Sequence, residues 1–163
     1  YDIRRTALAS LGSGGGDLPE LLENWRDGRL KLRLIAETLA LRRREPELFM
    51  DGSYEALHAT GPQADRLCAF MRAGEHSVLV TAVALYPSRG HQADIWGDCT
   101  LALPSEAAPQ QWTELFSGRE LTLSHGSLFA RDLFASLPVA LLTPSASDST
   151  RSGKALAAEP VIV

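Results

Sequence analysis

Basic residues are not in excess in this sequence. Lys and Arg total 16 against 20 Asp and Glu, for a formal net charge of -4. A nucleic-acid binder normally carries a strong positive footprint, so that class is set aside, and no nucleic-acid partner is expected. Long apolar runs are also missing. The longest, around Ser77 to Tyr86, is far too short to cross a bilayer, so no membrane partner is expected. The opening Tyr1-Asp2-Ile3-Arg4-Arg5 has no apolar core of the signal-peptide kind. Two cysteines, Cys68 and Cys99, are too few for a disulfide scaffold. Their flanks suggest buried strand positions, and both are expected to be reduced thiols in a cytoplasmic protein. The histidines are His58, His76, His91 and His125. None lies within four residues of another histidine or a cysteine, so zinc spacing is absent.

What remains is ample for a core: 163 residues, 45% of them hydrophobic, enough for one domain or one domain with an appended arm. Residues 1–50 form a helical arm. Asp17 caps a short helix, and Pro19 suits its first turn because it has no N–H to leave unpaired. Leu21, Leu22 and Trp25 follow, with Trp25 expected as a packing anchor. Asp27-Gly28 interrupts. A longer helix then runs from about Arg29 to Arg44, where Leu32, Ile35, Ala36 and Leu39 make one apolar stripe. Arg33 and Glu37 are spaced to pair on its outer face. Arg42-Arg43-Arg44 suits the negative end of the helix dipole, and Pro46 stops the helix at Glu45 or before. Gly12-Ser13-Gly14-Gly15-Gly16 is a flexible loop. It lacks the preceding strand and the following lysine with hydroxyl residue that a phosphate cradle needs.

From residue 51 to 142 the pattern turns to strands. They are expected at Tyr54 to Thr60, Arg66 to Arg72, Ser77 to Leu85 (central), Thr100 to Leu103, Trp112 to Phe116, Arg119 to Leu123, Ser127 to Phe129 and Val139 to Leu142. Ser117-Gly118 is a two-residue hairpin signal, and Ser124-His125-Gly126 a second tight turn. Seven or eight short strands at this spacing predict an antiparallel β-sandwich, and with the arm an α+β fold. Residues 143–163 form a low-complexity tail with little to bury. Its tip, Pro160-Val161-Ile162-Val163, could pair with a sheet edge.

Chemistry is harder to find. Paired carboxylates on opposite sides of a glycosidic bond can cut or transfer it. The candidates are Asp94 with Asp98, Glu45 with Glu47, and Glu106 with Glu114. Asp94 and Asp98 flank Trp96-Gly97, the most site-like loop, where a ring could stack on a sugar while the acids accept its hydroxyl protons. The plainer reading is a packed tryptophan between turn-forming aspartates. Trp112 is expected in the core rather than as a sugar platform, His58 on the surface, and Ser124-His125 as turn residues rather than a nucleophile and base. The residues by themselves therefore describe an accessory or interaction domain without an identifiable active site.

The arm's Trp25-Arg26-Asp27-Gly28-Arg29-Leu30-Lys31-Leu32, Leu39-Ala40-Leu41-Arg42-Arg43-Arg44 and Pro46-Glu47-Leu48-Phe49 resemble the C-terminal region of the maltooligosyltrehalose synthase family. Tyr54-Glu55-Ala56-Leu57, Gly61-Pro62-Gln63-Ala64-Asp65, Trp96-Gly97-Asp98-Cys99, Trp112-Thr113-Glu114-Leu115-Phe116-Ser117-Gly118 and Leu137-Pro138-Val139-Ala140-Leu141-Leu142 are similar to its later blocks, in the same order. Asp2-Ile3-Arg4-Arg5 is similar to the segment that follows its last catalytic-domain motifs. The likeness covers about residues 1–142. It implies an α-amylase-superfamily enzyme whose (β/α)₈ barrel carries an acid/base Glu, a nucleophilic Asp and a stabilising Asp. Its reaction would turn the reducing-end α-1,4 linkage of a maltooligosaccharide into α,α-1,1, without a cofactor. The arm would then be the last helices of that barrel. No motif for the three carboxylates occurs here, so no catalytic, cofactor or metal role passes to any residue. The implied partners are the barrel and, through the whole enzyme, its maltooligosaccharide. The stripe Leu32, Ile35 and Leu39 would be a face that packs on the barrel; without the barrel it would need cover from the sandwich or from a second copy in a homodimer. Two alternatives stand beside this reading: a glucan-binding module using Trp96 or Trp112, and a plain structural domain.

Overall fold

The computed structural model describes residues 5–6, 9, 17–85, 93–104 and 109–145. The Gly12–Gly16 loop, His91, Glu106, the side chain of Asp94 and the tail tip lie outside them.

Helix α1 (Leu18–Glu23) starts as its sequence dictates. The Asp17 carboxylate accepts the Glu20 N–H at 2.9 Å, and Pro19 sits in the first turn. A turn of 3-10 helix, Trp25–Asp27, ends at Gly28, whose φ of 84° is left-handed. From there α2 (Arg29–Arg44) begins. The Arg29 backbone N–H, and then its guanidinium, bond the Asp27 carboxylate and hold it below its ordinary pKa. Helix α2 ends before Pro46, as expected, but the chain does not leave helical geometry for long. Pro46 opens a further short helix, α3 (Pro46–Met50), using the same missing N–H that closed the previous one.

Nine strands follow among the described residues: β1 (Ser53–Leu57), β2 (Ala59–Thr60), β3 (Leu67–Ala73), β4 (Val78–Ala84), β5 (Thr100–Ala102), β6 (Gln111–Glu114), β7 (Glu120–Thr122), β8 (Ser127–Phe129) and β9 (Val139–Pro144). A six-stranded sheet has the order β1-β3-β4-β9-β6-β7, and a three-stranded sheet the order β2-β5-β8. Every pairing is antiparallel. The chain is thus a set of helices followed by an antiparallel β-sandwich.

Several expectations are adjusted. The single strand from Tyr54 to Thr60 divides at His58, because Leu57 pairs with Ala69 in one sheet and Ala59 with Leu101 in the other. His58 at the crossing is exposed. The β6–β7 connection runs from Leu115 to Arg119, longer than the two-residue turn predicted, with Gly118 at φ 69°. The Ser124–Ser127 turn is tight, and its central His125 and Gly126 both have positive φ. A short helix, α4 (Ala130–Leu133), between β8 and β9 was not foreseen. Strand β9 runs on to Pro144, and Ser145 beyond it is buried, its N–H donating to the Gln111 carbonyl at 3.0 Å.

Two cores flank the large sheet. Between the sheets lie Val80, Ala82, Leu101, Trp112, Leu128, Phe134, Ala140 and Leu142. On the other face, Leu18, Leu41, Leu48, Leu79, Phe116, Leu137 and Leu141 join the helices to the sheet. Fully burying a leucine such as Leu41 or Leu48 contributes about 1.5–3 kcal/mol. The side of α2 that packs on the sheet is Leu30, Leu34 and Leu41; of the apolar stripe, Ile35 and Leu39 remain 46% and 48% exposed. Trp25 is no anchor either, standing 55% exposed with the Arg26 guanidinium over its ring. Arg33 and Glu37 do pair, at 2.8 Å, but half-buried, with Arg33 also donating to the Phe116 carbonyl.

Cys99 is buried, and burial pushes its thiol above the ordinary value; Cys68 is exposed, contrary to expectation, because no element among the described residues covers its part of β3. A disulfide-forming chromogenic reagent should therefore titrate Cys68 quickly in native protein and Cys99 only after unfolding. Gly61 has φ 111°, and a Cβ there would lie 2.8 Å from the Cys99 Cα. We predict that Gly61→Ala lowers stability by at least about 2 kcal/mol in urea unfolding. Gly118→Ala, with open space around it, should cost only about 1 kcal/mol.

Candidate functional site

The structure separates the candidate carboxylates by what each one touches. Glu114 is 5% exposed and fully engaged. Its Oε1 accepts the N–H of Phe116 at 3.2 Å and of Leu141 at 3.4 Å. Its Oε2 accepts the Ser117 N–H at 2.8 Å and the Ser117 hydroxyl at 2.6 Å. All four donors come from the β6–β7 connection and from β9. Glu114 thus folds the loop that follows it and ties that loop to the central strand, and no free oxygen is turned to a ligand.

Asp98 is the opposite case. Its side chain is 96% exposed, 3.9 Å from Arg131. Glu47 is exposed, and Glu45 is half-buried as the residue linking α2 to α3. Trp96 does not stand beside Asp98 as a platform. It is 1% exposed and packs on Phe134 at 4.8 Å between ring centroids. Its indole N–H meets no acceptor among the described residues. Trp112 is wholly buried, donating to the Pro109 carbonyl at 2.8 Å. Neither ring offers a face to a sugar, so the glucan-platform alternative loses both of its residues. His76 and His125 are exposed, and His125 is a turn residue as expected. Among the described residues no group of His, Cys, Asp and Glu could hold a metal ion, and no helix is long and apolar enough to cross a membrane.

What the fold does build is a groove of about 350 Å³ between α2 and the large sheet. Leu34, Ile35, Thr38 and Leu39 line it from the helix, and Phe116, Val139 and Leu141 from the sheet side. Thr38 is its one polar side chain, and that hydroxyl is spent on the Leu34 carbonyl at 2.7 Å. Such walls offer nothing to the hydroxyls of a sugar and suit aliphatic side chains. The groove opens onto more apolar surface. Cys68, Val83 and Val139 are register neighbours across β3, β4 and β9, and Val83 is 37% exposed. Helical periodicity picked out Ile35 and Leu39 as part of one apolar stripe, and the structure leaves both close to half exposed. Which side of α2 meets the sheet depends on Phe116, Leu137 and Leu141, about a hundred residues later in the chain.

The two extreme carboxylates can be told apart by mutation. Glu114→Gln, which sets an amide N–H₂ against N–H donors, should lose about 1–3 kcal/mol in denaturant unfolding. Asp98→Ala should stay within about 0.5 kcal/mol of the parent.

No family model matches the sequence. Two proteins from strains of Mycobacterium tuberculosis that carry the name maltooligosyl trehalose synthase are each 38% identical to the chain over 112 residues. Those residues are 69% of this chain and 13% of either relative. A solved structure of a mutant maltooligosyltrehalose synthase from Arthrobacter ramosus superimposes with a TM-score of 0.58 at 28% identity. It covers 78% of this chain, which spans 16% of that one. By sequence and by fold, the chain is a relative of the maltooligosyltrehalose synthases, matching a small part of their length that fits their C-terminal region.

Proposed function

We propose that the chain serves as the C-terminal part of an intramolecular glucan transglycosylase in trehalose biosynthesis. The reaction converts the reducing-end α-1,4 bond of a maltooligosaccharide to α,α-1,1 within one molecule. Such a transfer needs carboxylates poised on the two sides of the glycosidic carbon, one to exchange the proton of the bridging oxygen and one to take up the sugar. In this reading those groups belong to a (β/α)₈ barrel of the α-amylase superfamily, outside these 163 residues. The arm, residues 1–50, supplies the barrel's last helices, and residues 51–142 form the domain behind it. The protein is cytoplasmic, and the chain alone is inactive.

The observation that carries this reading is the sequence match to the two named relatives over 69% of the chain. The site geometry agrees with it. Glu114 is consumed by backbone donors and Asp98 stands alone in solvent, so neither belongs to a pair across a cleft among the described residues. Incubation with maltopentaose is the direct test. The purified chain should leave every reducing end intact, whereas a polypeptide of its relatives' length that includes it should consume them. Loss of reducing ends with the purified chain would place the chemistry here and refute the reading.

A further inference from the structure

We propose that the outer face of the small sheet is a surface site for an α-1,4-glucan, held by Asp98 and Arg131 beside Phe129. The choice of an α-1,4-glucan rests on the functional reading above. The site itself rests on its own geometry, and it lies across the sandwich from α2 and the groove.

The face follows from the strand register. Leu101 of β5 and Leu128 of β8 are partners, and both are buried between the sheets. Their neighbours Thr100 and Phe129, also partners, therefore point outward. Thr60 of β2 joins that row opposite Thr100. The two threonine hydroxyls are 3.0 Å apart and share one hydrogen bond, which leaves one O–H and several lone pairs to spare. Arg131, in α4, sets its guanidinium 4.2 Å from the centroid of the half-buried Phe129 ring and donates to the Gly97 carbonyl at 3.4 Å. Ring and carbonyl thus hold the cation in place without help from the carboxylate. Asp98 comes no closer to it than 3.9 Å and is 96% exposed. A pair so loose adds little to stability, and it leaves both charged groups open to a ligand.

The gap between them fits one hydroxyl. An oxygen placed there accepts a guanidinium N–H at about 2.9 Å and donates to the carboxylate at about 2.7 Å. The signs of charge narrow the ligand further. An anion is repelled by Asp98 and a cation by Arg131. An apolar body strips water from both and returns no hydrogen bond. A neutral polyhydroxylated ligand meets none of these objections. Its C–H groups pack on Phe129, and its remaining hydroxyls find the threonine pair.

Native electrophoresis of the purified chain through gels containing soluble starch tests the site, with mobility normalised to gels without polysaccharide. The parent should be retarded. Asp98→Ala should bind about tenfold more weakly or worse, the loss expected for a hydrogen bond to a charged group, while its unfolding curve matches the parent's. Glu47→Ala, which removes an exposed carboxylate on α3, should be retarded like the parent. An unretarded parent, equal retardation of Asp98→Ala, or an equal loss in Glu47→Ala overturns the proposal. Retardation by dextran sulfate as strong as by starch overturns it too, since Asp98 should turn a polyanion away. Maltopentaose conversion by a polypeptide of its relatives' length is measured alongside. Conversion without retardation of the chain sinks the surface site alone, and Asp98-dependent retardation without conversion sinks the functional reading alone.

Discussion

The architecture hangs on strands that must bury both faces. In β4, Leu79 points to the helices and Val80 to the small sheet; in β9, Leu141 and Leu142 divide in the same way. A strand with a core on each side tolerates no slip, because shifting the register by one residue would exchange the two leucines between unlike environments. The antiparallel pair β4–β9, Val80 against Leu142 and Ala82 against Ala140, therefore sets the frame on which the helices, the small sheet and the β6–β7 hairpin are all placed. The order of strands follows from it. The last strand of the described chain is inserted between β4 and β6, not added at an edge.

That frame explains where the polar and aromatic residues end up. Glu114 stands at the end of β6 beside β9, inside the fold, and a carboxylate there is tolerable only with its oxygens satisfied. Two backbone N–H groups of its own loop, the Ser117 hydroxyl and the Leu141 N–H do this. Trp96 and Trp112 are drawn into the space between the sheets because they are the largest apolar bodies available to fill it. Residue types that often build carbohydrate sites, Trp96, Trp112 and Glu114, are used here as structural parts.

Among the described residues, the candidates for chemistry are built into the fold or stand alone in solvent, and what the fold shapes is an apolar groove beside α2. The half-covered face of the large sheet and the outer side of α2 form a single apolar concavity. Its walls carry one polar side chain, Thr38, whose hydroxyl is already bonded to the Leu34 carbonyl. Among the described residues, the fold is built around two cores, and the helical side of the large sheet keeps Ile35, Leu39 and Val83 partly exposed.

Local signals were legible without the structure because they are satisfied within a few residues. The Asp17 cap, the Gly28 break, the bounds of α2 from Arg29 to Arg44, the alternation of Leu67 and Ala69, and the His125-Gly126 turn each depend on neighbours in sequence. The class of fold and the ordered family blocks were legible for the same reason. Which face of an amphipathic helix is covered, whether a tryptophan meets solvent, and what a carboxylate bonds are set by residues far away in the chain. Ile35 and Leu39 stayed open because Phe116, Leu137 and Leu141 take Leu34 and Leu41 instead. Cys68 stayed open because no element among the described residues covers its part of β3. Glu114 became a structural joint because β9 returns beside β6. Sequence determined the elements and their kinship; only the packing of distant elements decided which surfaces close and which remain to be covered.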